Sequence, residues 1–285
     1  MRLLIDYSSL LYRAYHSLPE SLPSRGVYGF LNMLARLLID HRPRELAMCV
    51  DDDWRPAFRT DALPSYKAHR VVTEEDEVDE AIAADEALGR EVLEAMGFAV
   101  VGAAGYEGED VIATLAARCT GLCAVVSGDR DCFALVRDPH VVVLYPVKGV
   151  STLLRVDEAE ITRRYGIPGR AYLDFALLRG DPSDGLPGVR GIGEKTAAAL
   201  VAKYGSLDAI LAARDLPGAT ARKIAEGRDY LAAARTVVPP VPNVPIPEVT
   251  LDLPAKAKDA VRLAALAEEH GLGTPIERVQ AAVSG

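Results

Sequence analysis

The sequence has few cysteines and histidines, and it lacks an apolar run long enough to cross a membrane. Its 285 residues include 4 cysteines and 5 histidines, and no histidine pair completes a zinc pattern with Cys119 and Cys123. The opening segment MRLLIDYSSLLYR carries Asp6 in its first apolar stretch and has no small-residue cleavage site, which argues against a signal peptide. We therefore expect a soluble, cytoplasmic protein with reduced thiols, large enough to fold without disulfides.

Positive charge is also in deficit. The chain has 32 Lys and Arg against 41 Asp and Glu, a net charge of -9, which at first disfavours a nucleic-acid partner. The acids are concentrated, however, because residues 71–94 hold ten of them and one arginine, so the remainder is neutral. Setting aside nine further acids, discussed below as metal ligands, leaves +9 on the rest of the molecule. The overall charge therefore does not exclude a phosphate-rich substrate.

Strand-like and helix-like stretches alternate along residues 1–155. This alternation predicts an α/β fold with a mostly parallel central sheet and flanking helices. Residues 156–285 show mainly helical patterns, which predicts a second, helical region. The proline-rich run PPVPNVPIP at 239–247 is either a linker or a packed extended segment, and we favour the second because a helical stretch follows it. The apolar runs that predict strands are LLI, LAMCV, FAVVG, LCAVVSG and HVVVLYP.

Acidic residues follow the ends of several predicted strands. Asp6 follows LLI, Asp52 follows LAMCV and Asp129 follows CAVVSG, while GYEGED opens a helix. Parallel strands end at one edge of a sheet, so carboxylates from distant segments are predicted to meet in one crevice. Such carboxylates repel each other unless a cation neutralises them, and oxygen ligands select Mg²⁺ or Mn²⁺ over Zn²⁺. Each acid alone could be a solvated loop residue, but VDDD, GYEGED, SGDRD and RGDPSD together favour a two-metal site for phosphodiester chemistry.

A glycine-rich turn and a basic stretch indicate contacts with phosphate. The segment GVRGIGEKTAAALVAKYG (188–205) lets the backbone turn tightly before a helix whose N-terminus offers free N–H groups. The alternative is a connector between packed helices. The segment RPAFRTDALPSYKAHR (55–70) carries four Arg or Lys against one Asp and begins at the presumed metal edge, where it could stabilise charge on a phosphoryl group. The alternative is a solvated basic loop.

These motifs together resemble the 5′-nuclease family, which comprises the 5′–3′ exonuclease domain of bacterial DNA polymerase I, phage 5′ exonucleases and flap endonucleases. The resemblance covers nearly the whole chain. It implies a PIN/5′-nuclease-like core over 1–155 with an arch at about 65–96, and a helical DNA-binding region over 156–285 with a helix-three-turn-helix at about 180–205. It also implies a stand-alone nuclease without an attached polymerase. The matching motifs are IDYSSLLYRAYH, VYGFLNML, VDDDWRPAFR…PSYKAHR, GYEGEDVIATLA, VVSGDRDCFALV and LLRGDPSDGLPGVRGIGEKTAA.

The resemblance implies a role for each matching residue. Lys67 and Arg70 are expected to contact the scissile phosphate, and Asp52 is preferred to its neighbours because it lies six residues before Phe58, as in the family. A K⁺ ion often accompanies the helix-three-turn-helix. The first metal is expected at Asp6, Asp52, Glu107, Glu109 and Asp110, and the second at Asp131, Asp181 and Asp184, with Asp129 between the two. Contacts with DNA are expected at Tyr12, which would stack on an end base, and at Arg59, Tyr66, Gly188, Arg190, Gly191, Gly193, Lys195 and Thr196.

The chain also departs from the family pattern. Tyr7 stands where bacterial members usually have glycine, and Glu109 replaces an aspartate. Gly185 replaces the asparagine of the SDN motif, so a side-chain amide near the second metal site is lost. The segment 71–94 is strongly acidic where the arch of some members is basic, and this charge would repel a threading single strand.

The sequence thus predicts a 5′ nuclease dependent on Mg²⁺ or Mn²⁺, acting as a 5′–3′ exonuclease or flap endonuclease in primer removal and DNA repair. Its expected partner is DNA with a 5′ end or 5′ flap, and we expect a monomer without membrane contact. Two alternatives remain open: a binder of flapped DNA that does not cut, and a nuclease for RNA or for RNA primer–DNA hybrid ends. The glycine-rich turn and the basic stretch together disfavour a sugar-phosphate hydrolase.

Overall fold

A six-stranded sheet forms the centre of the computed structural model, which describes residues 1–70 and 77–285. Its strands are β1 (Arg2–Asp6), β2 (Glu45–Cys49), β3 (Ala99–Val101), β4 (Cys123–Val126), β5 (Val141–Lys148) and β6 (Thr152–Val156). They lie in the order β3-β2-β1-β4-β5-β6, with β1 to β5 parallel and β6 antiparallel to β5. The predicted mostly parallel sheet is therefore confirmed.

Helices cover both faces of this sheet and continue as a helical region after β6. In the described part of the chain, no helix is long and apolar enough to span a membrane. The helices are α1 (Tyr7–Ser17), α2 (Arg25–His41), α3 (Ala57–Ala62), α4 (Glu77–Met96), α5 (Gly108–Ala117), α6 (Glu158–Tyr165), α7 (Tyr172–Arg179), α8 (Glu194–Tyr204), α9 (Leu207–Ala212), α10 (Gly218–Glu226), α11 (Arg228–Val237), α12 (Ala260–Glu269) and α13 (Gly273–Ser284).

Alternation along the strands divides the core into two layers. Leu3 and Ile5 of β1 face the layer that contains α1, α2, α4, α12 and α13, whereas Leu4 faces α5 and the helices that follow β6. Because helices cover both faces, the central strand β4 is buried at every position, as is usual in a parallel sheet. The same alternation decides which layer each residue just beyond a strand end will meet.

The order of the strands reverses at β1. From β1 the chain adds β2 and β3 on one side, and it then returns to add β4 and β5 on the other side. In open parallel sheets a crevice forms at the carboxyl ends of the strands on either side of such a switch. Here those strands are β1 and β4, which end at Asp6 and Val126. The fold therefore directs the first acid and the SGDRD segment into the same crevice.

The predicted arch is partly a helix that packs on the body. Residues 71–76 lie outside the described part of the chain, and α4 packs against α2 and α12. Asp85 is buried and accepts the Gly26 N–H at 2.7 Å, while Glu91 pairs with Arg262 at 2.6 Å. Asp79 on the same helix is exposed. The acids of α4 are thus divided between solvent and contacts with the body.

The C-terminal segment crosses back over the first half of the chain. The N–H groups of Val241 and Val244 donate to Asp110 and Thr114 at 2.8 and 3.0 Å, so the proline-rich run is packed rather than a linker. The helices α12 and α13 then pack against α4 and α2 and complete the core of the first half. The domain boundary between residues 155 and 156 remains a prediction.

Removal of the Asp85 carboxylate should weaken the start of α2. The cap residue of that helix, Ser24, makes no side-chain hydrogen bond, so Asp85 supplies the acceptor from α4. We expect Asp85→Ala to lower the free energy of unfolding by about 1–2 kcal/mol in urea denaturation. The matched change at the exposed Asp79 should cost less than about 0.5 kcal/mol. Equal losses in the two variants would show that the cap does not contribute.

Candidate metal and nucleic-acid site

Asp6 lies in the crevice between β1 and β4. Its carboxylate accepts hydrogen bonds from Ser127 Oγ at 2.5 Å and from the Ser9 N–H at 3.2 Å, where it caps α1. Burial raises the pKa of Asp6 to about 7, and the charges of Asp51 and Asp129 add to this increase. Carboxylates from three strand ends are therefore close enough to act on one another, and a bound cation would stabilise their charged forms.

Three acids at the start of α5 surround Arg59, a side chain with no exposed surface. The guanidinium donates to the two Asp110 oxygens at 2.7 and 3.1 Å, pairs with Glu109 at 3.0 Å and also contacts Glu107. It donates further to the Val237 carbonyl at 2.9 Å. Burial opposes the charge on Arg59, but the three carboxylates outweigh it, so the pKa lies above its ordinary value. One buried cation thus offsets part of the repulsion among three acids.

The three acids differ in how many protein donors occupy them. Asp110 is fully buried, and besides Arg59 its oxygens accept the N–H groups of Glu107 at 3.2 Å and Val241 at 2.8 Å. Glu109 has a single ion pair among the described residues, with Arg59, and burial raises its pKa well above the ordinary value. By this criterion the geometry favours Glu109 as a metal ligand, whereas Glu107 also accepts hydrogen bonds from Arg59, Tyr66 and Lys67 and stays a ligand only by prediction. Asp110 is better placed to fix their orientation through the capping box of α5.

The SGDRD and RGDPSD loops bring a second group of carboxylates together. Asp129 accepts the Asp131 N–H at 2.8 Å, and Asp181 accepts the Ser183 N–H at 2.9 Å. Burial raises the pKa of Asp131 well above its ordinary value, and the charges of Asp129, Asp184 and Asp181 raise it further. The four acids predicted around the second metal are therefore close enough to act on one another electrostatically.

Cationic side chains from the segment 65–70 hold both groups of acids. Lys67 Nζ pairs with Glu107, and Arg70 pairs with Asp184 at 2.6 Å. With these pairs in place, no three carboxylate, histidine or cysteine side chains in residues 1–70 and 77–285 are arranged around one metal position. The donor set still fits a hard divalent cation, because it consists of crowded carboxylates whose charge burial opposes.

Backbone contacts join the same segment to the second group of acids. Lys67 has a left-handed φ of 49°, and its N–H donates to the Asp184 carbonyl at 2.9 Å. Ser65 Oγ donates to the Gly185 carbonyl at 2.9 Å. Gly185 has a φ of 70°, and a Cβ there would lie 2.1 Å from the Ser65 carbonyl oxygen. Because the two segments approach this closely, position 185 has no room for the asparagine side chain of SDN.

The structure does not bring Asp52 into the crevice. Asp52 pairs with Arg90 of α4 at 3.2 Å, whereas Asp51 accepts the Gly108 N–H at 2.6 Å at the start of α5. Along β2 the odd-numbered residues, such as Cys49, face the layer of α5, and the even-numbered residues face the layer of α4. Asp51 continues the first series. This alternation, which is visible in the sequence, favours Asp51 over Asp52, which was chosen from its spacing to Phe58, and the choice between them stays a prediction.

Two side chains that were predicted to contact DNA, those of Arg59 and Tyr66, are buried, and this prediction is therefore corrected. Arg59 has no exposed surface, and Tyr66, which is 2% exposed, donates its hydroxyl hydrogen to Glu107 at 2.8 Å. Both side chains hold the carboxylates of α5 and cannot reach a substrate. Neither the charge of an arginine nor the ring of a tyrosine indicates in the sequence whether the residue is exposed.

The other predicted DNA contacts fall into two places. Tyr12 is 54% exposed on α1, and its ring lies 4.4 Å from that of His16. In the glycine-rich turn, Gly188 is buried against the Arg179 carbonyl with a φ of 66°, so it shapes the turn and is not placed to contact DNA. In this turn and in the first turn of α8, the predicted contacts Arg190, Gly191, Gly193, Lys195 and Thr196 are exposed, and so is the acidic Glu194.

Loss of the buried cation should destabilise the protein strongly. Arg59→Met leaves Glu107, Glu109 and Asp110 without their shared partner, and we expect the free energy of unfolding to fall by about 3–5 kcal/mol. Arg59→Lys should give an intermediate loss because it keeps the charge but not the planar fork. The measurement is urea denaturation in EDTA. Arg235→Met, which removes an exposed ion pair with Asp208, is the control and should change stability by less than about 1 kcal/mol.

Comparison with known proteins gives matches along almost the entire chain. The family model described as "5′-3′ exonuclease, N-terminal resolvase-like domain" matches residues 1–166, and "5′-3′ exonuclease, C-terminal SAM fold" matches residues 167–261. A 5′-3′ exonuclease of Streptomyces coelicolor is 48% identical, over 97% of this chain and 98% of that protein. DNA polymerase I of Mycobacterium tuberculosis is 40% identical, over 94% of this chain and 29% of the polymerase.

Solved structures of similar fold include nucleases with metal ions and with DNA. The D15 protein of phage T5, co-crystallised with metal ions, has a TM-score of 0.72 at 16% identity and covers 99% of both chains. The catalytic core of Rad2 in complex with a DNA substrate has a TM-score of 0.60 at 16% identity, over 99% of this chain and 90% of that one. These matches show the same fold. The family models and the relative that is 48% identical establish that the chain belongs to the 5′–3′ exonuclease family.

Proposed function

We propose that this protein is a divalent-metal-dependent 5′ nuclease that hydrolyses DNA phosphodiesters near a 5′ end or at the base of a 5′ flap. The observation that carries the proposal is the convergence of carboxylates from distant segments in one crevice, beside Lys67 and Arg70. The relative named 5′-3′ exonuclease and the DNA-bound structures of similar fold support it. Primer removal and DNA repair are the processes that present such ends.

Mg²⁺ or Mn²⁺ is the proposed cofactor, because the donors are carboxylate oxygens. When bound, the ions supply positive charge that stabilises the attacking and leaving oxygens of the phosphodiester. Asp110 is proposed as a positioning residue, since protein donors occupy its oxygens. The proposed ligands are Asp6, Asp51, Glu107 and Glu109 for one ion, and Asp131, Asp181 and Asp184 for the other, with Asp129 between them.

Lys67 and Arg70 are proposed to bind the scissile phosphate. Both lie on the segment between the two groups of acids, and the Arg70 side chain is 43% exposed. Burial opposes the charge of Lys67, but Glu107 and the other nearby carboxylates raise its pKa above the ordinary value, so the ammonium form persists at neutral pH. The hydrogen bond from the Lys67 N–H to Asp184 fixes this residue relative to the second group of acids.

The exposed glycine-rich turn at 190–196 is proposed to hold the phosphates of duplex DNA. Its backbone N–H groups and the side chains of Arg190 and Lys195 can contact phosphates without reading the base sequence. A K⁺ ion at this turn is part of the proposal, as is a monomeric protein. None of the residues assigned to substrate contacts reads a 2′-hydroxyl, so RNA primer–DNA hybrid ends are retained as alternative substrates.

A labelled 5′-flap DNA tests the proposed activity. The purified protein is incubated with the flap, labelled at either end, in Mg²⁺, in Mn²⁺ and in EDTA. We expect cleavage near the flap junction or stepwise from the 5′ end in either metal, and no cleavage in EDTA. Parallel assays with RNA flaps and RNA–DNA hybrid flaps compare the cleavage rates of the three kinds of substrate. Tight binding without product in both metals would instead identify a non-cutting DNA-binding protein.

Substitutions at neighbouring aspartates test the ligand set. Asp51→Asn should lower kcat at least about 100-fold, because it removes a charge from the crevice. The Asp52 carboxylate pairs with Arg90 instead, so the kcat of Asp52→Asn should stay within about 5-fold of the wild-type value. Asp129→Asn is the positive control, since it should abolish cleavage while leaving most DNA binding. Single-turnover rates at saturating Mg²⁺ are the measurement, and the reverse ranking of the two neighbours would restore Asp52 as the ligand.

A further inference from the structure

Trp54 has no role in the proposed function, although it lies within the segment that connects β2 to α3. It is the only tryptophan of the chain, and it is 45% exposed. Within residues 1–70 and 77–285, no aromatic ring and no cation stacks on its indole. Nearly half of this aromatic residue is therefore presented to solvent next to a polar crevice.

The backbone that carries Trp54 is fixed on both sides. The Asp53 N–H donates to the Tyr106 carbonyl at 3.2 Å, and the Arg55 N–H donates to Asp53 Oδ1 at 3.1 Å. The Arg55 guanidinium donates to the Tyr66 carbonyl at 2.7 Å. These bonds hold the segment against α5 and against the segment that carries Lys67. The exposed indole is thus mounted on a well-anchored backbone, which lowers the entropy lost when it contacts a ligand.

Trp54 is also adjacent to the proposed phosphate contact. Lys67 Nζ lies 3.5 Å from the Trp54 carbonyl oxygen, and Asp51 precedes the tryptophan by three residues. A nucleotide whose phosphate contacts Lys67 therefore has its sugar and base within reach of this part of the surface. Tyr12 is a second exposed aromatic residue, but it lies on α1, away from this segment, and is already expected to stack on an end base; exposed side chains such as Val147 and Val261 are aliphatic and offer no comparable stacking surface.

We propose that Trp54 stacks on an unpaired nucleobase of the strand being cut, next to the phosphate that Lys67 contacts. An indole face binds any base, because every base has a π-face, so this contact is independent of sequence. It does depend on base pairing, since a base inside a duplex is already stacked on both sides. Trp54 would therefore favour an unpaired or frayed nucleotide at the cut position. This inference rests on the proposed nuclease function.

The fluorescence of the single tryptophan reports the contact directly. In EDTA, where no cleavage occurs, addition of 5′-flap DNA should quench Trp54 fluorescence in a saturable manner, and a blunt duplex of equal length should quench it less. A mobility-shift assay under the same conditions measures binding independently. If the flap DNA binds but the fluorescence does not change, the proposal is overturned, whether or not the protein cuts DNA.

Cleavage of substrates with a single abasic site distinguishes stacking from a structural role. Trp54→Ala should lower kcat/KM on the intact flap by about 5- to 100-fold. Trp54→Phe should lower kcat/KM less, because phenylalanine keeps an aromatic ring. An abasic site is moved one nucleotide at a time across the cut position. When the abasic site replaces the nucleotide that stacks on Trp54, no base is left to stack. The wild type and Trp54→Ala should then cleave at nearly equal rates. A Trp54→Ala defect of the same size on every abasic substrate would indicate a structural role and overturn the proposal.

Two controls keep the outcome interpretable. Val261→Ala removes an exposed apolar side chain, 84% exposed on α12, and should leave both fluorescence quenching and cleavage unchanged. The wild-type protein must cut the intact flap in Mg²⁺, since failure there contradicts the proposed function itself. That failure is distinguishable from failure of the stacking proposal, which is judged from quenching on binding and from the abasic series.

Discussion

The repulsion among carboxylates in one crevice is the constraint on which the rest of the site depends. Like charges in a buried region destabilise the folded state unless positive charge is held close to them. Arg59 meets part of this requirement from the interior, and it does so by joining elements that are distant in the chain. It links α3 to the start of α5 and to the Val237 carbonyl at the end of α11, while the C-terminal segment reaches Asp110 at Val241. The site and the packing of the helical region are therefore parts of the same arrangement.

Further positive charge comes from Arg179, which pairs with Asp181 at 3.6 Å, and from the segment that carries Lys67 and Arg70, where the backbone is under strain. Lys67 adopts a left-handed conformation that a side-chain-bearing residue rarely takes, and such strain persists only where neighbouring contacts enforce it. Those contacts come from the loop of Asp184 and Gly185. Residues from both halves of the chain thus determine where the proposed phosphate contacts lie. The turn proposed to bind substrate and part of the proposed second metal site lie on one short stretch of polypeptide, between α7 and α8.

Much of this architecture could be predicted from the sequence, because alternating patterns and strand-end acids are local signals. The parallel sheet and the two groups of acids follow from them. For the choice between Asp51 and Asp52, two local signals disagree, because spacing to Phe58 favours Asp52 and side-chain alternation along β2 favours Asp51. Arg59 and Tyr66 were assigned to DNA because composition does not distinguish a buried partner from an exposed contact. The docking of α12 and α13 on the first half could not be predicted either, since an amphipathic helix does not indicate which surface covers its apolar side.

The close approach of Gly185 to Ser65 has a consequence for how this sequence can change over evolution. With the backbone in its present position, a side chain at residue 185 would overlap the Ser65 carbonyl oxygen. A return to asparagine at that position therefore requires a prior or simultaneous change in the loop that carries Ser65. The residue allowed at position 185 is therefore constrained by the backbone course of a loop that lies 120 residues away in the chain. Among relatives, the identity of residue 185 should accordingly track the length and composition of the loop before Lys67.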